Sequence, residues 1–137
     1  MPATTYRWED IPAEPMSPTI TRQFLSGSNT MLARILLKQG AHVPLHHHAN
    51  EQIAYILSGR LKFILHEASF GAAPEPSQAA PITTSFPREV ILGPGEILCI
   101  PPNLPHEAFA LEDTIDLDIF TPPRQDWITG DDAYLRG

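Results

Sequence analysis

The sequence predicts an all-β fold, with short strands closing into a sandwich or barrel. The first sign is proline: the chain carries 15 prolines in 137 residues, where average usage of roughly 5% gives about seven. Proline is excluded from helix interiors and central strand positions, so this abundance favours short strands joined by stiff loops. The second sign is punctuation. Short apolar runs alternate with Gly, Pro, Asn and Ser clusters at intervals that suit a barrel or sandwich. The third is composition: 42% hydrophobic residues with two Trp, three Tyr and six Phe exclude a disordered chain and supply a core for one domain.

Taken in order, residues 1–18 read as an extended N-terminal arm holding Tyr6, Trp8 and Ile11 among prolines. With no helix to bury them, these residues pack on the chain's own barrel or on a second copy, and a homodimer is expected. The barrel is expected over 19–125. Its strands are Thr19–Leu25, Thr30–Leu37, His42–His48, Gln52–Leu57 and Leu61–His66, with turns at Ser26–Asn29, Lys38–Gly40 and Ser58–Arg60. Residues 67–87 show neither helical nor strand period and read as a long surface excursion. Strands resume at Glu89–Leu92, Ile97–Ile100, His106–Leu111 and Thr114–Phe120. A C-terminal tail over 126–137 has room for a short helical turn near Asp131–Leu135.

The formal charge is −7 with nine Lys and Arg and no basic run, which argues against nucleic-acid binding. Cys99 is the one cysteine and reads as a small apolar filler, so no intrachain disulfide forms and a reducing setting is expected. No apolar signal core opens the chain and no stretch approaches 18 apolar residues. No membrane partner and a cytoplasmic location are the resulting expectations.

Chemistry concentrates in the histidines. Four of the six lie within 42–48: His42, then His46, His47 and His48. Strand parity puts His42, His46 and His48 on one face and His47 on the other. Positions i and i+2 lie about 6.5–7 Å apart along a strand, which lets two imidazoles converge on one ion at about 2.0–2.1 Å. Gln52 restores the same parity after a bend at Ala49–Asn50, and His106 opens a later strand. A His-rich tract also occurs simply as solvated surface, so the spacing of the whole set carries the argument.

That spacing resembles the cupin superfamily. Its first motif is Gly, five residues, His-x-His, three or four residues, Glu, six residues, Gly. This chain has Gly40, five residues, His46-His47-His48, three residues, Gln52, six residues, Gly59. The second motif is Gly, five residues, Pro-x-Gly, two residues, His, three residues, Asn. Here stand Gly95, five residues, Pro101-Pro102-Asn103, two residues, His106, three residues, Ala110. The resemblance covers roughly residues 30–124 and implies a single jelly-roll barrel with one divalent metal ion on His46, His48, Gln52 and His106. Gln52 replaces the usual Glu, and Asn103 replaces an inner Gly but tolerates positive φ.

Three neutral imidazoles and a neutral amide leave the ion its full +2 charge. Such a site attracts anions or acidifies bound water, which suits a small anionic substrate. Glu51 competes as a ligand but points away by parity. Zn, Ni, Fe, Mn and Cu all remain open.

The last strand alternates Ile115, Leu117 and Ile119 on one face with Thr114, Asp116, Asp118 and Phe120 on the other. Asp118 and Phe120 then face the cavity, and Arg124 follows a Pro-Pro corner. The bland reading is a solvated Asp118, a core Phe120 and a surface Arg124. The segment Asp118-Ile119-Phe120-Thr121-Pro122-Pro123-Arg124, followed by Asp126-Trp127, resembles a cupin subfamily of pectin and alginate catabolism that linearises 4,5-unsaturated monouronates. The resemblance implies Asp118, Phe120 and Arg124 as active-site residues. A metal-dependent dioxygenase and a non-catalytic ligand-binding cupin are the rival classes.

Overall fold

The computed structural model describes residues 2–70 and 83–136, without the side chains of 68–70 and 83–86. Among the described residues ten strands run β1 (Glu14–Ser17), β2 (Ile20–Ser26), β3 (Met31–Leu37), β4 (His42–His46), β5 (Glu51–Ser58), β6 (Leu61–Phe70), β7 (Thr83–Leu92), β8 (Ile97–Ile100), β9 (His106–Ala110) and β10 (Thr114–Thr121). One short helix, α1 (Gln125–Thr129), follows them, and a single 3₁₀ turn at Trp8–Asp10 precedes them. Among the described residues no helix is long and apolar enough to cross a membrane.

Two antiparallel sheets face each other, with strand orders β1-β2-β3-β10-β5-β8 and β4-β9-β6-β7. Alternation makes the interior. In β3, Met31, Ala33, Ile35 and Leu37 are buried while the residues between them are half-buried. In β9, His106, Ala108 and Ala110 point inward. Completely buried residues such as Ile56 and Met31 each contribute about 1.5–3 kcal/mol relative to exposure.

Turn chemistry holds the register. Gly59 has φ +88, and a Cβ there would lie 2.3 Å from the Asp113 carbonyl oxygen, so only glycine fits between β5 and β6. Asn103 has φ 65, the positive value that the missing motif glycine required.

Several segments differ from the sequence reading. The 67–87 excursion is partly sheet: β6 and β7 pair from Leu61↔Leu92 out to Phe70↔Thr83, and 71–82 lies outside the described residues. Backbone pairing alone holds such a ladder, so it forms where side-chain alternation gives no signal. Part of the arm is also strand, since β1 pairs with β2 and Met16 is buried. The arm packs on its own barrel, where Gln23 Nε2 donates to the carbonyls of Trp8 (2.7 Å) and Ile11 (2.8 Å). The tail forms α1 ahead of the expected turn and ends it at left-handed Gly130, φ 81; a turn follows within Asp131–Leu135 as expected, Leu135 N donating to the Asp132 carbonyl at 3.0 Å. Cys99 is exposed on β8, not filling the core.

Candidate metal centre and its cavity

The site lies between the sheets. His46 and His106 are register partners on β4 and β9, and Gln52 lies opposite Phe120 across β5 and β10. His48 follows β4 in the bend, tied down where Asn103 N donates to its carbonyl at 2.7 Å.

His42 is the one histidine that parity misplaces. It is exposed and paired with Glu107 on the outer face at 2.9 Å. The cause is a register shift in β4: Val43 faces Ala108 and His46 faces His106, three positions against two. This bulge around Pro44 inverts the parity between His42 and His46. His47 and Glu51 are exposed, as parity predicts.

One nitrogen from each of His46, His48 and His106 forms a group lying within 4.8 Å of one another. Their Nδ1 atoms face the carbonyls of Pro44 (2.8 Å), Asn50 (3.0 Å) and Leu104 (2.8 Å). A carbonyl only accepts, so each Nδ1 carries the ring proton and each Nε2 presents a lone pair. Burial first, then the neighbouring imidazoles and Arg124, lower His46 to about 3. Burial, then Arg124 and His106, lower His48 to about 4. His106 is lowered too, chiefly by burial. All three rings are therefore neutral at pH 7, the form that binds a metal.

The donor set fits a cation in two specific ways. His106 Nε2 is buried without a hydrogen-bond partner, a costly state for a polar atom. His48 Nε2 lies 3.1 Å from Gln52 Oε1, although in this tautomer both atoms are acceptors. Two lone pairs facing each other call for positive charge between them. The other end of the Gln52 amide donates to Asp118 Oδ1 at 3.1 Å, which orients Oε1 toward His48.

The cavity beside these ligands holds about 560 Å³ of empty space, open solvent at its mouth included, and is lined by His46, Gln52, His106, Asp116, Asp118, Phe120, Arg124 and Tyr134 among others. Asp118 and Phe120 face inward, as alternation predicts, and both are buried. Phe120 sits edge-on to His48 with centroids 5.6 Å apart. Burial raises Asp118, against lowering contributions from Asp116, Gln52 and Arg124.

Arg124 is only 2% exposed. A buried charge is costly unless paired. Asp126 pairs it in fork geometry, Nε to Oδ1 at 2.9 Å and Nη2 to Oδ2 at 2.6 Å. Nη2 also donates to the Tyr134 hydroxyl. Among the described residues Nη1 makes no hydrogen bond, so that edge of the guanidinium stays available. Trp127 packs against Arg22 and Arg124, each guanidinium about 4.6–4.7 Å from its ring. Arg22 is itself buried and lies 2.7 Å from Asp132 in an ion pair.

Three residues of this site escaped the sequence reading. Asp116 shares its face with Asp118 and lines the cavity, and burial followed by the Asp118 charge raises it well above the ordinary carboxylate range. The alternation that found Asp118 contained Asp116 as well. Asn50 is buried; its Nδ2 donates to the carbonyls of Pro122 (2.5 Å) and Pro123 (3.2 Å), tying the ligand bend to the Pro-Pro corner before Arg124. Tyr134 stacks on His46, centroids 4.8 Å apart, and no local pattern marks a tail residue that folds back over the barrel.

A double-sheet barrel with imidazoles converging in its interior defines a jelly-roll protein with a candidate metal centre. The chain belongs to the cupin family, whose sequence profile matches residues 17–121. No curated protein matches it. Solved structures of similar fold include KdgF from Halomonas sp., with TM-score 0.71, 22% identity, and coverage of 92% of this chain and 99% of that one. An RmlC-like cupin from Shewanella frigidimarina NCIMB 400 has TM-score 0.69, 20% identity, and coverage of 92% and 96%. The oxalate decarboxylase–formate complex from Lactobacillus farciminis has TM-score 0.68 and 15% identity, and this chain spans 38% of its length.

Proposed function

We propose that this cupin is a metal-dependent enzyme that opens the ring of a 4,5-unsaturated uronate and ketonises the product. One observation carries the reading: Asp118, Phe120 and Arg124 line the same cavity as His46, Gln52 and His106. The resemblance of the last-strand segment to uronate-linearising cupins supports the choice of substrate.

The residues divide the work as follows. His46, His48, Gln52 and His106 hold the divalent ion, which supplies Lewis acidity toward sugar oxygens. The free Nη1 edge of Arg124 takes the substrate carboxylate, which suits a planar guanidinium. Asp126 already neutralises much of the Arg124 charge, so this contact sets orientation more than long-range attraction. Phe120 packs against the sugar face. Asp118 accepts the proton of the anomeric hydroxyl as the ring carbon–oxygen bond breaks. It then delivers that proton to the enol carbon, and the ring oxygen becomes a ketone. A carboxyl whose affinity for protons is raised by burial suits such a two-way transfer.

The test is loss of the conjugated double bond of a 4,5-unsaturated uronate with metal-loaded protein, measured against the spontaneous opening rate. Acceleration that depends on metal supports the reading, and Arg124→Ala should then chiefly raise KM. No acceleration with any of the candidate metals removes it. Oxygen consumption by iron-loaded protein would put an oxidative cupin in its place.

A further inference from the structure

The tail beyond the barrel places an aromatic hydroxyl inside the cavity. Tyr134 is half-buried, its ring stacks on His46 at 4.8 Å, and it lines the cavity with Gln52, Asp118 and Arg124. Its phenol oxygen accepts two hydrogen bonds, from Arg124 Nη2 and from Trp127 Nε1, the latter at 3.1 Å. A phenol has one proton and accepts through its lone pairs. With the accepting side occupied by two donors, the proton remains to be given, and among the described residues no acceptor takes it. Next to it, Arg124 has Asp126 on its Nε and Nη2 edge and an unengaged Nη1.

An O–H donor and an N–H donor thus adjoin one another beside the imidazole cluster. Core packing explains the Tyr134 ring, and pairing the Trp127 indole and Arg124 Nη2 explains the lone pairs of its hydroxyl, but neither uses the phenol proton, and an unpaired donor within a cavity has a cost. We infer that Tyr134 is a ligand-binding residue whose hydroxyl, together with Arg124, clamps a carboxylate of the ligand held at the metal centre. The choice of a sugar acid as that ligand rests on the uronate reading; the clamp itself requires only a carboxylate.

Anchoring of the tail makes this position stable. Trp127 is buried against both guanidinium groups. Asp132 is completely buried against Arg22, and Arg136 Nε donates to it at 2.9 Å. Tyr134 is therefore held from both sides along the chain.

The experiment is Tyr134→Phe in zinc-loaded protein, with two calorimetric titrations, D-glucuronate and malonate, beside a zinc-affinity measurement. The ring and its stacking on His46 survive, and Asp126 still orients Arg124. The expected result is a loss of carboxylate affinity of about tenfold or more, the scale of a hydrogen bond to a charged group, with zinc affinity unchanged. Unchanged carboxylate affinity overturns the inference, as does a parallel loss of zinc affinity, which would make Tyr134 a packing residue of the metal site. If Tyr134→Phe weakens malonate while metal-loaded wild type gives no acceleration of unsaturated-uronate opening, the clamp stands and the uronate reading fails. If wild type binds neither carboxylate, the clamp falls. Should Tyr134→Phe fold poorly, Tyr134→Met keeps an apolar side chain against His46 with no O–H or N–H donor and is expected to show the same loss.

Discussion

Asp118→Asn separates proton transfer from everything else this residue does. The replacement is isosteric, and an asparagine carbonyl still accepts the 3.1 Å hydrogen bond from Gln52 Nε2. The ligand set and Gln52's orientation are therefore kept, and metal content should equal wild type. What disappears is a carboxyl able to take and give a proton. General acid–base catalysis contributes typically about 10²–10⁴-fold, so kcat on the unsaturated uronate should fall by that factor, or about 2.7–5.4 kcal/mol of transition-state stabilisation. Uronate KM should change little, because Arg124 is untouched. Stability should not fall with activity: burial disfavours the ionised Asp118 carboxylate, and Asn carries no charge. The assay is the decay of conjugated-alkene absorbance under metal saturation, with the uncatalysed rate subtracted. If Asp118→Asn turns over as fast as wild type, the proton is carried elsewhere. Asp116→Asn, assayed in parallel, identifies Asp116 as the carrier if it takes the loss instead.

The two aspartates also predict a pH signature in the metal-free protein. Burial and the Asp118 charge raise Asp116, so its favourable contribution is present below the unfolded-state value near 3.8 and is lost as pH rises toward the folded value. Denaturant melts of Asp116→Asn should show a stability advantage over wild type that grows from pH 4 to 8; a constant difference would contradict the assignment. His106→Ala should lower bound metal measured by elemental analysis, because His106 Nε2 is buried without another partner, and wild-type content would remove His106 from the ligand set. With His46 near 3 and His48 near 4, proton competition at these rings is weak at pH 5.5. Metal should survive dialysis at that pH and be released near pH 3.5, whereas release near the ordinary imidazole value of about 6.5 would refute the burial argument. Although the arm packs on its own barrel at Trp8 and Ile11, Tyr6 stays 59% exposed, so light scattering at micromolar concentration should give the mass of a dimer, and a monomer mass would remove the expectation drawn from the arm.

Much of the site was readable because its signals are local. The His46/His48 spacing, the side of β10 that carries Asp118 and Phe120, and the positive φ at Asn103 each follow from a few consecutive residues. Strand periodicity and turn stereochemistry act over that range. The interleaved histidines and turn residues at motif spacing extended the reading to the family. The same rule failed for His42, because one extra residue around Pro44 inverts the parity and nothing in an apolar-polar pattern marks a bulge.

From the sequence alone came the all-β class, the barrel, the four candidate ligands and the inward face of the last strand. Only the tertiary structure decided what those residues meet. Asn50 reaches Pro122, 72 positions away, and Gln52 meets Asp118, 66 positions away. The tail returns across the cavity so that Asp126 holds Arg124 and Tyr134 covers His46. Periodicity specifies which face a side chain takes, but its partner on that face is chosen by topology and by the need to pair buried charges, as at Arg22 and Arg124. Those requirements arise only once the sheets have closed, which is why the candidate ligand positions were legible in the chain and the tail's part in the cavity was not.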